Sequence, residues 1–162
     1  MGEIKEGKFV FVAIDGKEGT VNNMKLPENY QPNNFRSMIS IGESEYFISG
    51  GINIALNNIS PDCFIFNMKK CSVQKIEKMF QARYTHSSLY YEGWVYVFGG
   101  RYFGDDDSAI LDQCEKYSLS ERKWIKMPNM NIKRCTLFSL IWNEKIYILG
   151  GYTGECERSR VI

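Results

Sequence analysis

Short apolar runs separated by turn residues recur along this chain, and the clearest of them end on two glycines. EYFISGG closes at Gly50-Gly51, WVYVFGG at Gly99-Gly100 and KIYILGG at Gly150-Gly151. Runs of this length, rich in β-branched and aromatic residues, predict strands, and no segment carries a convincing helical period. The last two units superpose at one constant offset: Cys63 on Cys114, Phe66 on Tyr117, Met79 on Met130, Arg83 on Arg134, Ser88 on Ser139, Tyr96 on Tyr147 and Gly99 on Gly150. The first unit is looser. Arg36, Phe47 and Gly50 fall on Arg83, Tyr96 and Gly99 at slightly shorter offsets, which implies loops of different length.

Within the unit from Arg83 to Met130 the texture is all β. THSSLYY reads as a strand, Glu92-Gly93 as a turn, and WVYVF as a second strand stopped by the glycine pair. A polar loop, RYFGDDDSAILD, leads to QCEKYSL, which alternates polar and apolar, and a last strand surrounds Trp124. Four strands in meander order make one antiparallel sheet. Such a sheet buries both faces only when copies of itself pack against it, which is the logic of a β-propeller. Residue sizes fit the radial positions: Ser37, Ser40, Ser87 and Ser88 for the crowded axis, and Tyr96, Phe98, Tyr117 and Trp124 for the splayed periphery.

Laid over the chain, the repeat gives a single region of about three blades, an incomplete ring where propellers typically have four to eight. Residues 1–33 hold what look like the outer strands of a split blade, around Phe9 to Ile14 and Val21 to Pro27. Residues 34–80 and 81–131 hold one blade each, and residues 132–162 the first strands of a further one. Two arrangements would close the ring: the remainder of a longer propeller chain, or a second copy in a homodimer whose orphan strands complete the split blade.

Composition narrows the class of function. Hydrophobic residues make up 44% and charged residues 24%, as in a soluble globular domain, and the formal charge is +1 without a run of basic residues. Nothing therefore points to nucleic acid or to a membrane surface. The opening MGEIKEGKFVFVAID has no apolar segment long enough for a signal peptide, and the five cysteines form no C-x-x-C pair. Reduced thiols and a cytoplasmic location are the expectation.

The residues resemble the kelch repeat family across essentially the whole chain. The marks are the double glycine after an aromatic strand, Tyr117 seven residues before Trp124, and Arg83, His86 and Ser87 in an Arg-x-x-His-Ser pattern. The first unit departs from it, with Val73 in place of the Trp and Ile65-Phe66 in place of Glu-x-Tyr. By resemblance the complete ring is often six-bladed, and such modules serve as substrate receptors of ubiquitin ligases, as cytoskeletal scaffolds and as parts of larger assemblies. The rival class is a kelch-propeller enzyme whose active site lies in missing blades. Here His86 is the only histidine, too few for the copper-radical oxidases built on this fold, and no nucleophile motif occurs. The expectation is a binding protein without catalytic residues, cofactor or metal. The run Asp105-Asp106-Asp107-Ser108 reads as a solvated loop, since its spacing does not match an EF-hand.

Loops between blades, together with loops joining second to third strands, should line one face of the ring. They would present Arg36, Arg83, Tyr84, Arg101, Tyr102, Phe103, Arg134 and Tyr152 to a protein partner, residue types that anchor interfaces. The repeated Arg36, Arg83 and Arg134 have an equally good reading as braces between blades. Arg101, Tyr102 and Phe103 break the repeat and are the strongest candidates.

Overall fold

The computed structural model describes residues 9–14, 19–24, 33–103 and 109–154. Its strands are β1 (Phe9–Ile14), β2 (Gly19–Met24), β3 (Ser37–Ser40), β4 (Glu45–Ser49), β5 (Ile52–Asn53), β6 (Asn58–Ile59), β7 (Cys63–Asn67), β8 (Ser72–Ile76), β9 (Ser87–Tyr91), β10 (Trp94–Phe98), β11 (Cys114–Ser118), β12 (Lys123–Met127), β13 (Phe138–Trp142) and β14 (Lys145–Leu149). Two four-stranded antiparallel meanders form, β3-β4-β7-β8 and β9-β10-β11-β12. β13 and β14 make a two-stranded sheet that repeats the first half of such a blade, and β1 pairs with β2 in a hairpin. The all-β propeller architecture holds.

The blades follow one another around an axis, with β3, β9 and β13 as neighbouring innermost strands. Between the first two blades lies a core of Phe47, Cys63, Met79, Val95, Val97, Tyr117 and Trp124. The Phe47 ring sits 6.0 Å from Tyr117 and 6.2 Å from Trp124, and these tilted contacts fill the gap where the sheets splay. Trp124 Nε1 donates to the Glu77 carbonyl at 2.8 Å, so the indole is both buried and satisfied. Leu89, Phe98, Cys114 and Leu137 build the equivalent core against β13 and β14. Small inner residues do their part: Ser87 and Ser139 hydroxyls meet at 2.7 Å across two inner strands.

The structure corrects the alignment of the first unit. Phe35, Thr85 and Thr136 each take a left-handed φ, of 54°, 53° and 53°, immediately before the segment that enters the inner strand. These three are therefore equivalent, which pairs Arg36 with His86 and Leu137 and puts Asn33, not Arg36, at the Arg83 position. Chemical identity drew Arg36 onto Arg83, but backbone geometry decides the register. The left-handed residues also link the blades: Thr85 N donates to Phe35 O at 3.1 Å, and Thr136 N to Thr85 O at 2.8 Å.

The glycine pairs are where one blade meets the backbone of the next. Gly51 N donates to Arg83 O and Gly100 N to Arg134 O. A Cβ on Gly99 would lie 2.3 Å from Arg134 O, whereas one on Gly150 would meet nothing within 4 Å, although both have φ near +60°. Gly150→Ala should cost only the left-handed strain, about 1 kcal/mol. Gly99→Ala adds a backbone clash and should cost about 2–4 kcal/mol. Denaturant midpoints of the two variants check the difference.

Candidate protein-binding face

After each glycine pair the chain turns back and pairs with the segment that precedes the first strand of the same blade. Ile52 pairs with Asn34, Arg101 with Tyr84, and Tyr152 with Cys135, each through reciprocal backbone hydrogen bonds of 2.8–3.0 Å. Both loop types thus emerge at one end of the blades. Arg101 also bridges Ile110, and Tyr102 N donates to Ala109 O at 2.8 Å, which fixes the base of that loop.

On this floor sit exposed aromatic rings. Tyr102 and Phe103 are 45% and 51% exposed with ring centres 5.8 Å apart, and Tyr152 is 43% exposed. Tyr84 stands 6.4 Å from the ring of Phe35. Phe35, Ile54 and Leu56 are exposed at the same end and were missed in the sequence reading. The signal for Ile54 and Leu56 was available: they follow Gly51 much as Tyr102 and Phe103 follow Gly100, but their apolar alternation resembles one more strand. Phe35 carried no signal, because nothing in its sequence neighbourhood marks its left-handed φ of 54°. Among the described residues, the turns at the opposite end hold no exposed large apolar side chain of their own, and Trp142, which ends β13 beside the Asn143–Glu144 turn, is the large exposed ring nearest to them.

The arginines behave differently from the aromatics. Arg83 is not a surface residue: it is 1% exposed and its Nη2 meets Glu115 Oε1 at 2.8 Å. Its Nη1 donates to Gly99 O and Gln113 O, and the Glu115 carboxylate also accepts from Phe80 N at 2.8 Å and Gln81 N at 3.4 Å. Burial works against the guanidinium charge, and Glu115 restores part of it. Arg83 is therefore withdrawn from the partner-binding set, because its donors are spent inside its own blade. Arg134, half-buried, gives Nη1 to Gly150 O at 2.6 Å. The Arg36 guanidinium lies 5.4 Å over the Phe64 ring, and Arg101 is half-buried.

His86 is held inside the structure. It is buried between the two glycine pairs, and its Nε2 shares a 2.8 Å hydrogen bond with Ser49 Oγ of the preceding blade. Burial, with Arg83 nearby, lowers its pKa to about 3. The imidazole is neutral at physiological pH and bridges two blades. Cys63 and Cys114 are buried, and desolvation raises both thiols. Among the described residues no group of three or more His, Cys, Asp and Glu side chains is placed to hold a metal ion. No helix among the described residues is long and apolar enough to cross a membrane. The acidic run Asp105-Asp106-Asp107-Ser108 lies outside the described residues.

Comparison with known proteins bears on the repeat directly. Residues 82–131, the second blade, match the family model described as the Kelch motif. The "Kelch repeat and BTB domain-containing protein 1" of cowpox virus is 29% identical over 116 residues, covering 71% of this chain and 20% of that protein. The second blade is a Kelch motif, and the chain is similar to kelch repeat proteins. "Kelch-like protein 23" of Homo sapiens is 28% identical over 123 residues, with the same 71% and 20% coverage. The chain thus spans about a fifth of the length of these curated relatives. The solved structure of YjhT superposes with a TM-score of 0.62 at 20% identity, over 80% of this chain and 37% of that one, and shows the same fold. The kelch Arg-x-x-His-Ser and Glu-x-Tyr marks acquire physical meaning here, since Arg83 and Glu115 form one buried pair and His86 ties blade to blade.

Removing one member of the buried pair strands the other. Glu115→Ala should destabilise the chain by about 3–5 kcal/mol. The first blade carries Asn33 and Phe64 at these two positions, so the double variant R83N/E115F should recover part of that loss in a denaturation series. His86 predicts an acid limb. The unfolded chain takes a proton near pH 6.5, the folded chain only near 3, so stability present above pH 6.5 is lost as pH falls toward 3. His86→Asn should flatten that limb by about one proton when unfolding free energy is followed against pH.

Proposed function

We propose that this chain is a protein-interaction module that takes its partner on the end of the blades bearing Tyr84, Arg101, Tyr102, Phe103 and Tyr152, with Phe35, Ile54 and Leu56. The observation that carries the reading is one-sidedness: the large exposed rings and aliphatic groups of the loops gather at this end. Rigid aromatic rings on a hydrogen-bonded floor bury much area on binding at small entropic cost, and half-buried Arg101 adds a charged, planar donor set beside them. The described cysteines, Cys63, Cys71, Cys114 and Cys135, are all unpaired, which fits a cytoplasmic setting.

A second reading makes this same face the substrate receptor of a ubiquitin ligase. Curated relatives whose names carry both kelch repeats and a BTB domain favour it. Modification of the captured partner by ubiquitin would separate it from simple scaffolding.

The test is a photo-crosslinking amino acid placed at Phe103 and, in a second chain, at exposed Asn143 on the opposite turn. Adducts should form from Phe103 only. Replacing Arg101, Tyr102 and Phe103 with Ala should weaken capture by about 2 kcal/mol or more, roughly 30-fold, at unchanged melting temperature. Adducts from Asn143 alone would move the site to the other end.

A further inference from the structure

Two stretches of the chain place basic residues two and three positions ahead of a hydroxyl: Lys69-Lys70-Cys71-Ser72 and Lys133-Arg134-Cys135-Thr136. Serine/threonine kinases with acidic substrate clefts choose acceptors by such charge patterns. In sequence the two stretches are alike. Their surroundings are not.

Ser72 opens β8, the outermost strand of the first blade, directly after the turn from β7. Lys69, Lys70, Cys71 and Ser72 are all exposed. Short-range contacts shape the turn: Lys70 N donates to Asn67 Oδ1 at 2.8 Å, and Cys71, with a left-handed φ of 46°, donates through N to Met68 O at 3.4 Å. Lys69 Nζ meets Glu43 at 3.3 Å, but the two side chains are 71% and 91% exposed, and so open a pair holds its lysine weakly. Ser72 faces Asn67 in the last pair of the β7–β8 ladder, so freeing the acceptor opens that terminal pair alone.

Thr136 is also exposed, yet the chain around it is committed to the fold. Its neighbours Cys135 and Leu137 are 2% and 6% exposed, and its N donates to Thr85 O at 2.8 Å. Arg134, two places ahead of the acceptor, gives Nη1 to Gly150 O at 2.6 Å. Presenting this stretch to a kinase cleft means opening the joint between blades.

We propose that Ser72 is a phosphorylation site for a basophilic protein kinase, and that the fold excludes Thr136. The Ser72 hydroxyl oxygen attacks the γ-phosphorus of Mg-ATP. The new O–P bond forms as the bond to ADP breaks, and the hydroxyl proton passes to the aspartate base of the kinase. The phosphate carries a charge of about −1.5 to −2 at pH 7 and draws Lys69 away from Glu43. Met68 N donates to Ser44 O at 2.8 Å, which sets this turn beside the β3–β4 turn, away from Tyr102 and Phe103. The site therefore stands independently of the proposed partner face.

The probe is the catalytic subunit of the cyclic-AMP-dependent protein kinase with Mg-ATP, acting on the folded full chain, with phosphate mapped by mass spectrometry. One phosphate should appear, on Ser72, and Ser72→Ala should abolish it. K69Q/K70Q should slow incorporation about tenfold at unchanged melting temperature, and K69R/K70R should keep the original rate. Peptides of residues 66–76 and 130–140 should both be modified, since each shows the charge pattern without the fold. Three results overturn the proposal: no phosphate on Ser72 of the folded chain, phosphate on Thr136 of that chain, or an unchanged rate for K69Q/K70Q. An unmodified 130–140 peptide overturns the part that gives the choice to the fold.

Discussion

The structure depends on the close approach of the first two glycine pairs to the backbone of the following blade. A sheet of four strands has two faces to bury and cannot bury either by itself. Gly50 and Gly99 let the chain come within hydrogen-bonding reach of the carbonyls of Arg83 and Arg134, at a separation that a Cβ would prevent. Once that spacing is set, Phe47, Tyr117 and Trp124 fill the wedge further out, and Thr85 and Thr136 relay backbone hydrogen bonds from one blade to the next. Left-handed torsions at Phe35, Thr85 and Thr136 cost strain, and the relay they permit offsets it.

Two blades solve the same local problem with different chemistry. Where the second blade has Arg83 and Glu115, the first has Asn33 and Phe64. A buried ion pair is weak evidence of net stability, because desolvation of both charges is large. Its value here is positional. Glu115 ties the segment entering the blade, through Phe80 and Gln81, to the third strand. That segment is the connection from the preceding blade, so the pair sets how successive blades are joined.

The same connections give the proposed binding end its rigidity. Reciprocal bridges such as Tyr84 with Arg101 turn what would be mobile loops into a hydrogen-bonded floor. Side chains leaving that floor are held without being used by the core, and a rigid base that presents variable groups is how loops come to carry binding. The arginines divide by depth: Arg83 serves the fold, while Arg101 remains near the surface.

The repeat, the strand order within a blade and the core aromatics were legible in the chain, because apolar alternation, turn glycines and the spacing of Tyr117 to Trp124 are local signals. The burial of Arg83 was not, since it rests on a partner in another strand, Glu115, whose significance appears only when β11 lies beside the blade entry. Nor was the equivalence of Arg36 with His86. Side-chain identity suggested one register, and the φ of Phe35 imposed another. Phe35 is a surface ring that no pattern in its sequence neighbourhood marks. What the sequence by itself determined is the meander sheet and its repetition, since short-range periodicity dictates which face of each strand is apolar. Tertiary structure alone decided which polar residues are spent inside the blades and which reach solvent, because that depends on contacts between residues far apart along the chain.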